Sequence, residues 1–218
     1  MIETHLSLLL VVIPLMAAPV TAILPNGRLP WLLTLLVSWL CFGLAIWQFA
    51  LVMDGSVIIY ELVGWAPPWG IEYRIDTVNA FVALIVAGMA AITMPYAMLS
   101  VEQEIPKDKL SLFYATFLLC MDGLLGITLT GDIFNLFVFL EISSLSSYAL
   151  ISMGQQRRAL TAAYQYLIMG TIGATFLLIG IGLIYAETGT LNMADLSARL
   201  PAVFEHRTVH TAFAFIVV

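Results

Sequence analysis

The sequence predicts an all-α membrane protein, a polytopic bundle of about six complete transmembrane helices followed by the start of a seventh. Of its 218 residues, 61% are hydrophobic and only 10% are charged, whereas roughly a quarter of the residues of a soluble domain are charged. The mean hydropathy is +1.01. The apolar residues form continuous runs of about 20 residues, which is the length that an α-helix needs to cross a bilayer core.

Six apolar segments are long enough to span a bilayer, and a seventh begins near the end of the sequence. At a rise of ~1.5 Å per residue, each complete segment covers the ~30 Å hydrocarbon core. The breaks between them contain proline, glycine or charged residues, which favour turns. Together the segments are predicted to form a single membrane domain. The predicted helices are residues 6–24, 31–53, 78–99, 110–130, 132–153, 163–186 and, incomplete, 209–218.

The distribution of basic residues predicts that the N-terminus lies outside the cell. The first helix is predicted to be retained, because no Lys or Arg precedes it as in a signal peptide. Basic residues concentrate in cytoplasmic loops. The short loops of one side carry Arg28, Lys107, Lys109, Arg157 and Arg158. The longer loops of the other side carry Arg74, Arg199 and Arg207.

Two outer loops are predicted, at residues 54–77 and 187–208. The first reads "DGSVIIYELVGWAPPWGIEYRIDT", in which two β-prone runs flank a Pro67-Pro68 turn, so a small hairpin on the membrane is predicted. The second contains "TGTLNMADLSARLP", where Thr190 or Asn192 can cap a short helix that ends before Pro201. Neither loop is assigned a chemical role.

Two carboxylic acids lie deep inside the predicted helices, Asp122 in "LLCMDGLLG" and Glu141 in "FVFLEISSL". A carboxylate at that depth is costly unless it is protonated, paired or hydrated, so each is a candidate functional residue. Counted from the turn near Gly131, both lie roughly 13–15 Å below the outer surface. If their helix faces meet, the two acids can share or pass a proton. If the faces diverge, Asp122 is expected only to hydrogen-bond a neighbouring helix.

Glu141 is interpreted as a proton carrier, with a structural buried acid as the alternative. Ser144 and Tyr148 on its helix face can hold water or hydrogen-bond a carboxyl group. Asp132 follows Gly131 at a helix start, where capping of free N–H groups is favoured over direct proton handling. The residues expected to share the face of Glu141 are Phe134, Phe137, Ser144, Leu145 and Tyr148.

No cofactor, metal or nucleic-acid motif accompanies these acids. Cys41 and Cys120 both lie in apolar runs and are interpreted as small core residues rather than a disulfide or a metal pair. The sequence contains no cysteine–histidine cluster, glycine-rich phosphate loop or nucleophile motif. No cofactor, metal or nucleic-acid partner is therefore expected. The lipid bilayer is expected to surround the helices.

Three stretches together resemble the antiporter-like membrane subunits shared by Mrp-type cation/proton antiporters, energy-converting hydrogenases and complex I, most of all the D-type subunits of Mrp antiporters. They are "GWAPPWGIEYRID" (64–76), "LTGDIFNLFVFLEISSLSSYALI" (129–151) and "YLIMGTIGATFLLIGIGLIYAETGTLNMADL" (166–196). The second is the most specific, because it keeps the pattern GD-x-FN-x-x-V-F-x-E with both carboxylates.

The resemblance implies a fold of about fourteen helices with two inverted repeats. It also implies that Glu141 pairs with a lysine on the seventh helix and that Gly131 and Asp132 are the GD pair of the family. That lysine is expected just after "TAFAFIVV", and no lysine follows Lys109. The chain is therefore expected to be part of a subunit about twice as long, or a split subunit completed by another chain, and not to transport alone. Asp122 is not expected from the family pattern.

The function implied is that of a membrane subunit of a multisubunit monovalent cation (Na⁺)/proton antiporter in a bacterial or archaeal cell membrane. Other membrane subunits, protons and sodium ions are the expected partners. One alternative is a proton-pumping membrane subunit of a redox-driven complex, either a complex I-like NADH–quinone oxidoreductase or a membrane-bound hydrogenase, with electron transfer on partner chains. The other is a structural membrane scaffold in which Glu141 is only a packing acid.

Overall fold

Helices of membrane length make up most of the protein. The computed structural model describes residues 2–65 and 70–217, and six helices in this part of the chain are long and apolar enough to cross a bilayer. The predicted fold class is thereby confirmed. These six helices are α1 (Ile2–Ile23), α2 (Arg28–Val52), α3 (Thr77–Glu104), α4 (Leu110–Leu129), α5 (Ile133–Ser152) and α6 (Arg157–Thr188). The shorter helices α7 (Met193–Val203) and α8 (Arg207–Val217) follow them.

The long helices α3 and α6 extend furthest beyond the apolar segments from which they were predicted. α3 runs to Glu104 rather than to residue 99, and α6 begins at Arg157 rather than at residue 163. Hydropathy marks only the part of a helix that lies in lipid, whereas the helical hydrogen bonds continue through polar stretches such as "SVEQE" at residues 100–104.

The segment between α2 and α3 forms a two-stranded antiparallel hairpin. Strand β1 (Ile58–Glu61) pairs with β2 (Glu72–Ile75), so that Ile58 lies opposite Ile75. Tyr73 and Ile75 on β2 are only 4% and 0% exposed, because their side chains belong to the core of the helical bundle. The predicted Pro67-Pro68 turn lies outside the described residues.

Helix α7 lies in the second long connection and is capped by Asn192, one of the two predicted caps. The Asn192 side chain accepts a hydrogen bond from the Asp195 amide at 3.0 Å. The prediction that this helix ends before Pro201 is wrong, since α7 continues to Val203. A proline in the last turn removes a single helical hydrogen bond, which a helix end tolerates more easily than a helix interior does.

Helices α1 to α4 share one core, and α5, α6 and α8 are added to it in sequence. In α3 the core-facing positions are small, which lets the neighbouring helices approach closely. Half of the α4 span is buried inside the protein, whereas only 17% of the α5 span and 22% of the α6 span are buried. The buried alanines of α3 are Ala80, Ala83, Ala87, Ala90, Ala91 and Ala97.

The two ends of the bundle differ in what they carry. The end with β1, β2 and α7 is called the hairpin end, and His5 near the start of α1 hydrogen-bonds Tyr60 there at 2.9 Å. The opposite end is called the basic end, where Asn26 donates to the Asp108 carbonyl at 3.0 Å. The helix starts and turns of the basic end carry Arg28, Lys107, Lys109, Arg157 and Arg158.

Candidate functional site

Asp132 lies at the start of α5, where its side chain caps the helix. The carboxylate accepts a hydrogen bond from the Asn135 amide at 2.8 Å. The Thr130 hydroxyl oxygen in turn accepts from the Asn135 side-chain amide at 3.0 Å. Asp132 is only 7% exposed, so the free N–H groups of the helix start are satisfied by the protein itself.

The start of α7 repeats this arrangement. Asn192 takes the place of Asp132 as the cap, and the Thr190 hydroxyl oxygen accepts from the Asn192 amide at 3.3 Å, as the Thr130 oxygen accepts from the Asp132 amide at 3.3 Å. The Asn192 side chain also donates to the Glu72 carboxylate at 2.7 Å. The Gly131 amide donates to the Glu72 carbonyl at 2.9 Å, so strand β2 is attached to both helix starts.

Two backbone hydrogen bonds join the starts of α5 and α7 directly. The Ile133 amide donates to the Leu191 carbonyl at 2.9 Å, and the Met193 amide donates to the Gly131 carbonyl at 2.8 Å. Residues 130–135 and 190–195 form what is called here the cap clasp. The cap clasp therefore joins two helix starts that are about sixty residues apart in the sequence.

The surroundings of Asp132 act on its carboxyl group in opposite directions. Burial raises its pKa, the amides of Asn135 and Phe134 lower it, and the nearby Glu72 charge raises it. The net effect is a pKa above the ordinary value of 3.8. Proton uptake is therefore easier in the folded than in the unfolded protein, so the contribution of Asp132 to stability is largest below its unfolded pKa and declines as pH rises through the folded pKa.

Asp132→Asn is expected to remove this decline while keeping the cap. An asparagine oxygen can still accept from the Asn135 amide, so the variant should melt at a temperature equal to or above that of the unaltered protein at neutral pH. Asp132→Ala loses the acceptor and should cost about 1 kcal/mol. Thermal unfolding in detergent at several pH values measures both variants. Equal losses in the two variants would contradict the capping role, and a constant Asn-minus-Asp difference across pH would contradict the pKa shift.

Glu141 lies near the middle of α5, eight positions after Ile133, which is ~12 Å along the helix axis. The residue is half-buried. Tyr148, two turns further on, is on the same helix face and contacts α6, because its ring lies 6.0 Å from that of Tyr166 and its hydroxyl group meets Gly170. Glu141 therefore lies on the side of α5 that faces α6.

The opposite face of α5 packs against α4. Phe139 and Ser143 are both 7% exposed, and a Cβ atom added to Gly123 of α4 would lie 2.6 Å from the Ser143 amide nitrogen and 2.8 Å from the Phe139 carbonyl oxygen. Glu141 is two residues from each of these, or about 200° around the helix. The close packing of α4 and α5 therefore turns Glu141 away from α4.

Asp122 is fully buried in α4, with 0% exposure. It shares a face with Leu118 and Leu125, which belong to the core formed with α1, α2 and α3. Neither of its carboxylate oxygens has a hydrogen-bond partner. The structure therefore does not pair Asp122 with Glu141, and the expectation that Asp122 would otherwise hydrogen-bond a neighbouring helix is not met by any described residue.

Ion pairing does not involve either acid in residues 2–65 and 70–217. The two ion pairs found there are Arg199 with Asp195 and His206 with Glu187, both at the hairpin end. Nor does this part of the chain contain a group of three or more His, Cys, Asp or Glu side chains suited to a metal ion. Cys41 and Cys120 are free thiols.

Several polar residues of the interior were not singled out from the sequence. Glu72 is one of them, and its contact with Asn192, 120 positions away, is one that no local pattern reveals. On α2, by contrast, Thr34, Ser38 and Gln48 lie on one buried face. Ser38 and Gln48 follow Thr34 by four and fourteen residues, close to one and four helical turns, so this shared face was visible in the sequence.

Comparison with known proteins identifies the family. The family model described as "NADH:quinone oxidoreductase/Mrp antiporter, TM" matches residues 130–218. The N-type subunit of the NADH-quinone oxidoreductase of Desulforudis audaxviator is 43% identical over 216 residues, which are 98% of this chain and 43% of that protein. This chain belongs to the family of antiporter-like membrane subunits. The D-type subunit of the Na(+)/H(+) antiporter of Bacillus subtilis is 34% identical over 149 residues, 68% of this chain and 30% of that protein.

Solved structures of this family share the fold of the whole chain. The membrane-bound sulfane sulfur reductase, an archaeal respiratory membrane complex, contains a chain that matches with a TM-score of 0.89 and 35% identity, over 98% of this chain and 43% of that one. The Mrp complex from a Dietzia species matches with a TM-score of 0.84 and 28% identity, over 100% of this chain and 40% of that one. This antiporter-like sequence thus spans less than half the length of the relatives that it matches.

Proposed function

We propose that this chain contributes a proton path to a multisubunit monovalent cation/proton antiporter, with Glu141 as the proton carrier. The supporting observation is the position of Glu141, a half-buried acid near the middle of a membrane helix, on the face directed at α6. A carboxyl group there can change its protonation state when a neighbouring charge approaches or withdraws. Asp122, at 0% exposure, instead faces the core formed by α1 to α4 and is directed away from α6.

The exposed face of α5 and α6 is the proposed contact for further helices of the same complex. Both helices are much less buried than α4, and Leu145 beside Glu141 is 49% exposed. Helix α8 packs along α6, with Ile216 against Gly180. A lysine shortly after residue 217 would then come close to the depth of Glu141, which supports the Glu–Lys pair that the family resemblance implies.

The proposed setting is a bacterial or archaeal cell membrane, with the N-terminus and the hairpin end outside. The five basic residues of the basic end support this orientation, since cytoplasmic loops are enriched in Lys and Arg. The match to a sodium/proton antiporter supports sodium as the coupled cation. The match to an NADH-quinone oxidoreductase supports the alternative of a redox-driven proton pump, in which electron transfer would take place on partner chains.

Reconstitution of the intact complex in vesicles tests the proposal. An imposed sodium or potassium gradient, with no electron donor present, should move protons in the opposite direction, as recorded by a trapped pH-sensitive dye. The redox-driven alternative would be established if proton movement required an electron donor and a quinone and did not change with the cation gradient. Absence of proton movement under both conditions from a correctly assembled complex would favour the scaffold interpretation. The 218-residue chain by itself is expected to move no protons.

A further inference from the structure

A line of polar residues runs through the core of the α1–α4 bundle, away from Glu141. It is carried by α2 and is called here the α2 polar file: Thr34, Ser38, Cys41 and Gln48. All four are at most 1% exposed. From Thr34 to Gln48 the file covers 14 positions, or ~21 Å of helix, which is most of the thickness of a bilayer core.

Asp122 lies beside the middle of this file. Leu118 and Leu125, one turn before and one turn after it on the same face of α4, belong to the core cluster that also contains Cys41 of α2 and Tyr73 of β2. Burial raises the pKa of the Tyr73 phenol to about 12, so Tyr73 stays neutral. Since Tyr73 enters the bundle core from the hairpin, Asp122 is enclosed by α2 on one side and by the hairpin end above it.

Four buried oxygen atoms of this region have no hydrogen-bond partner. They are both carboxylate oxygens of Asp122, Oε1 of Gln48 and Oγ1 of Thr34. The other polar groups of the file are already engaged: Gln48 Nε2 donates to Ser7 at 2.9 Å, and the Ser38 hydroxyl group donates to the Thr34 carbonyl at 2.8 Å. Buried polar atoms without protein partners are characteristic sites of internal water.

Helix α1 contributes a further acceptor to the same core. Pro14 has no N–H group, so the carbonyl oxygen of Leu10, four residues earlier, receives no helical hydrogen bond from it. Leu10 is 0% exposed and belongs to the core cluster that also contains Cys41. The groups that can donate a hydrogen bond to this set of acceptors are a protonated Asp122, the Thr34 hydroxyl group, the Tyr73 phenol, the weakly donating Cys41 thiol and water.

The groups around Asp122 favour the neutral acid. The titratable groups near it are Cys41 and Tyr73, and neither is cationic. Glu102 of α3 acts on Tyr114 of α4 at the basic end, eight residues along α4 from Asp122, and it too is an acid rather than a cation. An unpaired carboxylate in such surroundings is strongly disfavoured, whereas a protonated carboxyl group needs only one acceptor. The core-facing residues of α1, α3 and α5 include Leu10, Val11, Ala83, Ala87, Phe139 and Ser143.

We propose that Asp122 is a second proton-binding site of the membrane domain, connected by internal water along the α2 polar file and separated from Glu141 by the α4–α5 contact. The ligands of this site are a proton and water. The proposal does not depend on whether Glu141 carries protons, because the two acids lie on opposite sides of that contact.

Infrared spectroscopy of the complete complex in lipid tests the proton site. At neutral pH the C=O stretching band of a protonated carboxyl group is expected. It should shift when aspartate is labelled with ¹³C in its carboxyl group, disappear in Asp122→Asn, and persist in Glu141→Gln and Asp132→Asn. A spectrum that Asp122→Asn leaves unchanged would overturn the proposal. If that variant fails to assemble, Asp122→Glu serves in its place, and its band should no longer shift with the aspartate label.

Isotope exchange tests the water connection. After transfer to D₂O, the Asp122 band should shift quickly, and Gln48→Leu combined with Thr34→Val should slow this exchange roughly tenfold or more. Thr93→Val is the matched control, because Thr93 is an exposed threonine on the lipid side of α3 and should leave the rate unchanged. Fast exchange in the double variant would contradict the water file. Loss of the band when sodium chloride replaces choline chloride would mean that the site takes a cation rather than a proton.

Discussion

Glu141→Gln in the full-length protein is expected to lower cation-driven proton movement by roughly tenfold or more while leaving the complex assembled. Glutamine has nearly the same size as glutamate and keeps an oxygen acceptor, but it cannot bind and release a proton at ordinary pH. Because Glu141 is only half-buried and glutamine fills nearly the same space, the complex is expected to remain assembled. The measurement is the initial rate of proton movement in vesicles, normalised to the amount of assembled complex.

Glu102→Gln is the matched control for this substitution. Glu102 is an exposed glutamate at the polar end of α3, so the same chemical change there should leave both transport and assembly unaltered. Full activity in Glu141→Gln would show that the proton is carried elsewhere. A loss of activity that only follows a loss of assembled complex would instead identify Glu141 as a packing acid, as the scaffold interpretation requires.

Gly123→Ala is expected to destabilise the bundle by about 2 kcal/mol, because it would force α4 and α5 apart. The added Cβ atom would lie 2.6 Å from the Ser143 amide nitrogen and 2.8 Å from the Phe139 carbonyl oxygen. Both atoms belong to the backbone of α5, so the clash cannot be relieved by rotating a side chain. The measurement is the midpoint of thermal unfolding in detergent.

Gly173→Ala on α6 provides the comparison. Nothing lies within 4 Å of a Cβ atom at that position, and alanine favours a helix over glycine by about 1 kcal/mol, so this variant should melt at the same or a higher temperature. If Gly123→Ala behaved like Gly173→Ala, the close α4–α5 contact would be wrong. The placement of Glu141 and Asp122 on opposite sides of that contact would then be wrong as well.

The acids of interest were visible in the sequence, but their relation to each other was not. Depth along a helix follows from counting residues, and both Asp122 and Glu141 do lie well inside their helices. Whether their faces meet depends on how each helix is rotated about its axis. Gly123 and Gly126 set that rotation, since both pack directly against α5, at Phe139 and Ser143, and they leave the two carboxyl groups on separate sides.

Asp132 shows the same division between local and distant information. Its capping of α5 follows from a short polar residue after a glycine at a helix start, and the sequence pattern favoured it. Its connection to Asn192 and Glu72 arises because two capping segments about sixty residues apart meet at the hairpin end. Such a contact carries no signal in the local sequence around either residue.

What the sequence determined by itself is the number, length and approximate position of the membrane helices. Lipid cannot hydrogen-bond a peptide group. An apolar run of about 20 residues therefore forms a helix, in which its backbone N–H and C=O groups hydrogen-bond one another. Only the tertiary structure decided which face of each helix is turned inward. These helices are apolar on nearly every side, so hydrophobicity cannot distinguish a surface that meets lipid from one that meets protein. Close packing at small residues determines which face is turned inward. As a result, Asp122 lies in the enclosed core and Glu141 lies on the less buried face of α5.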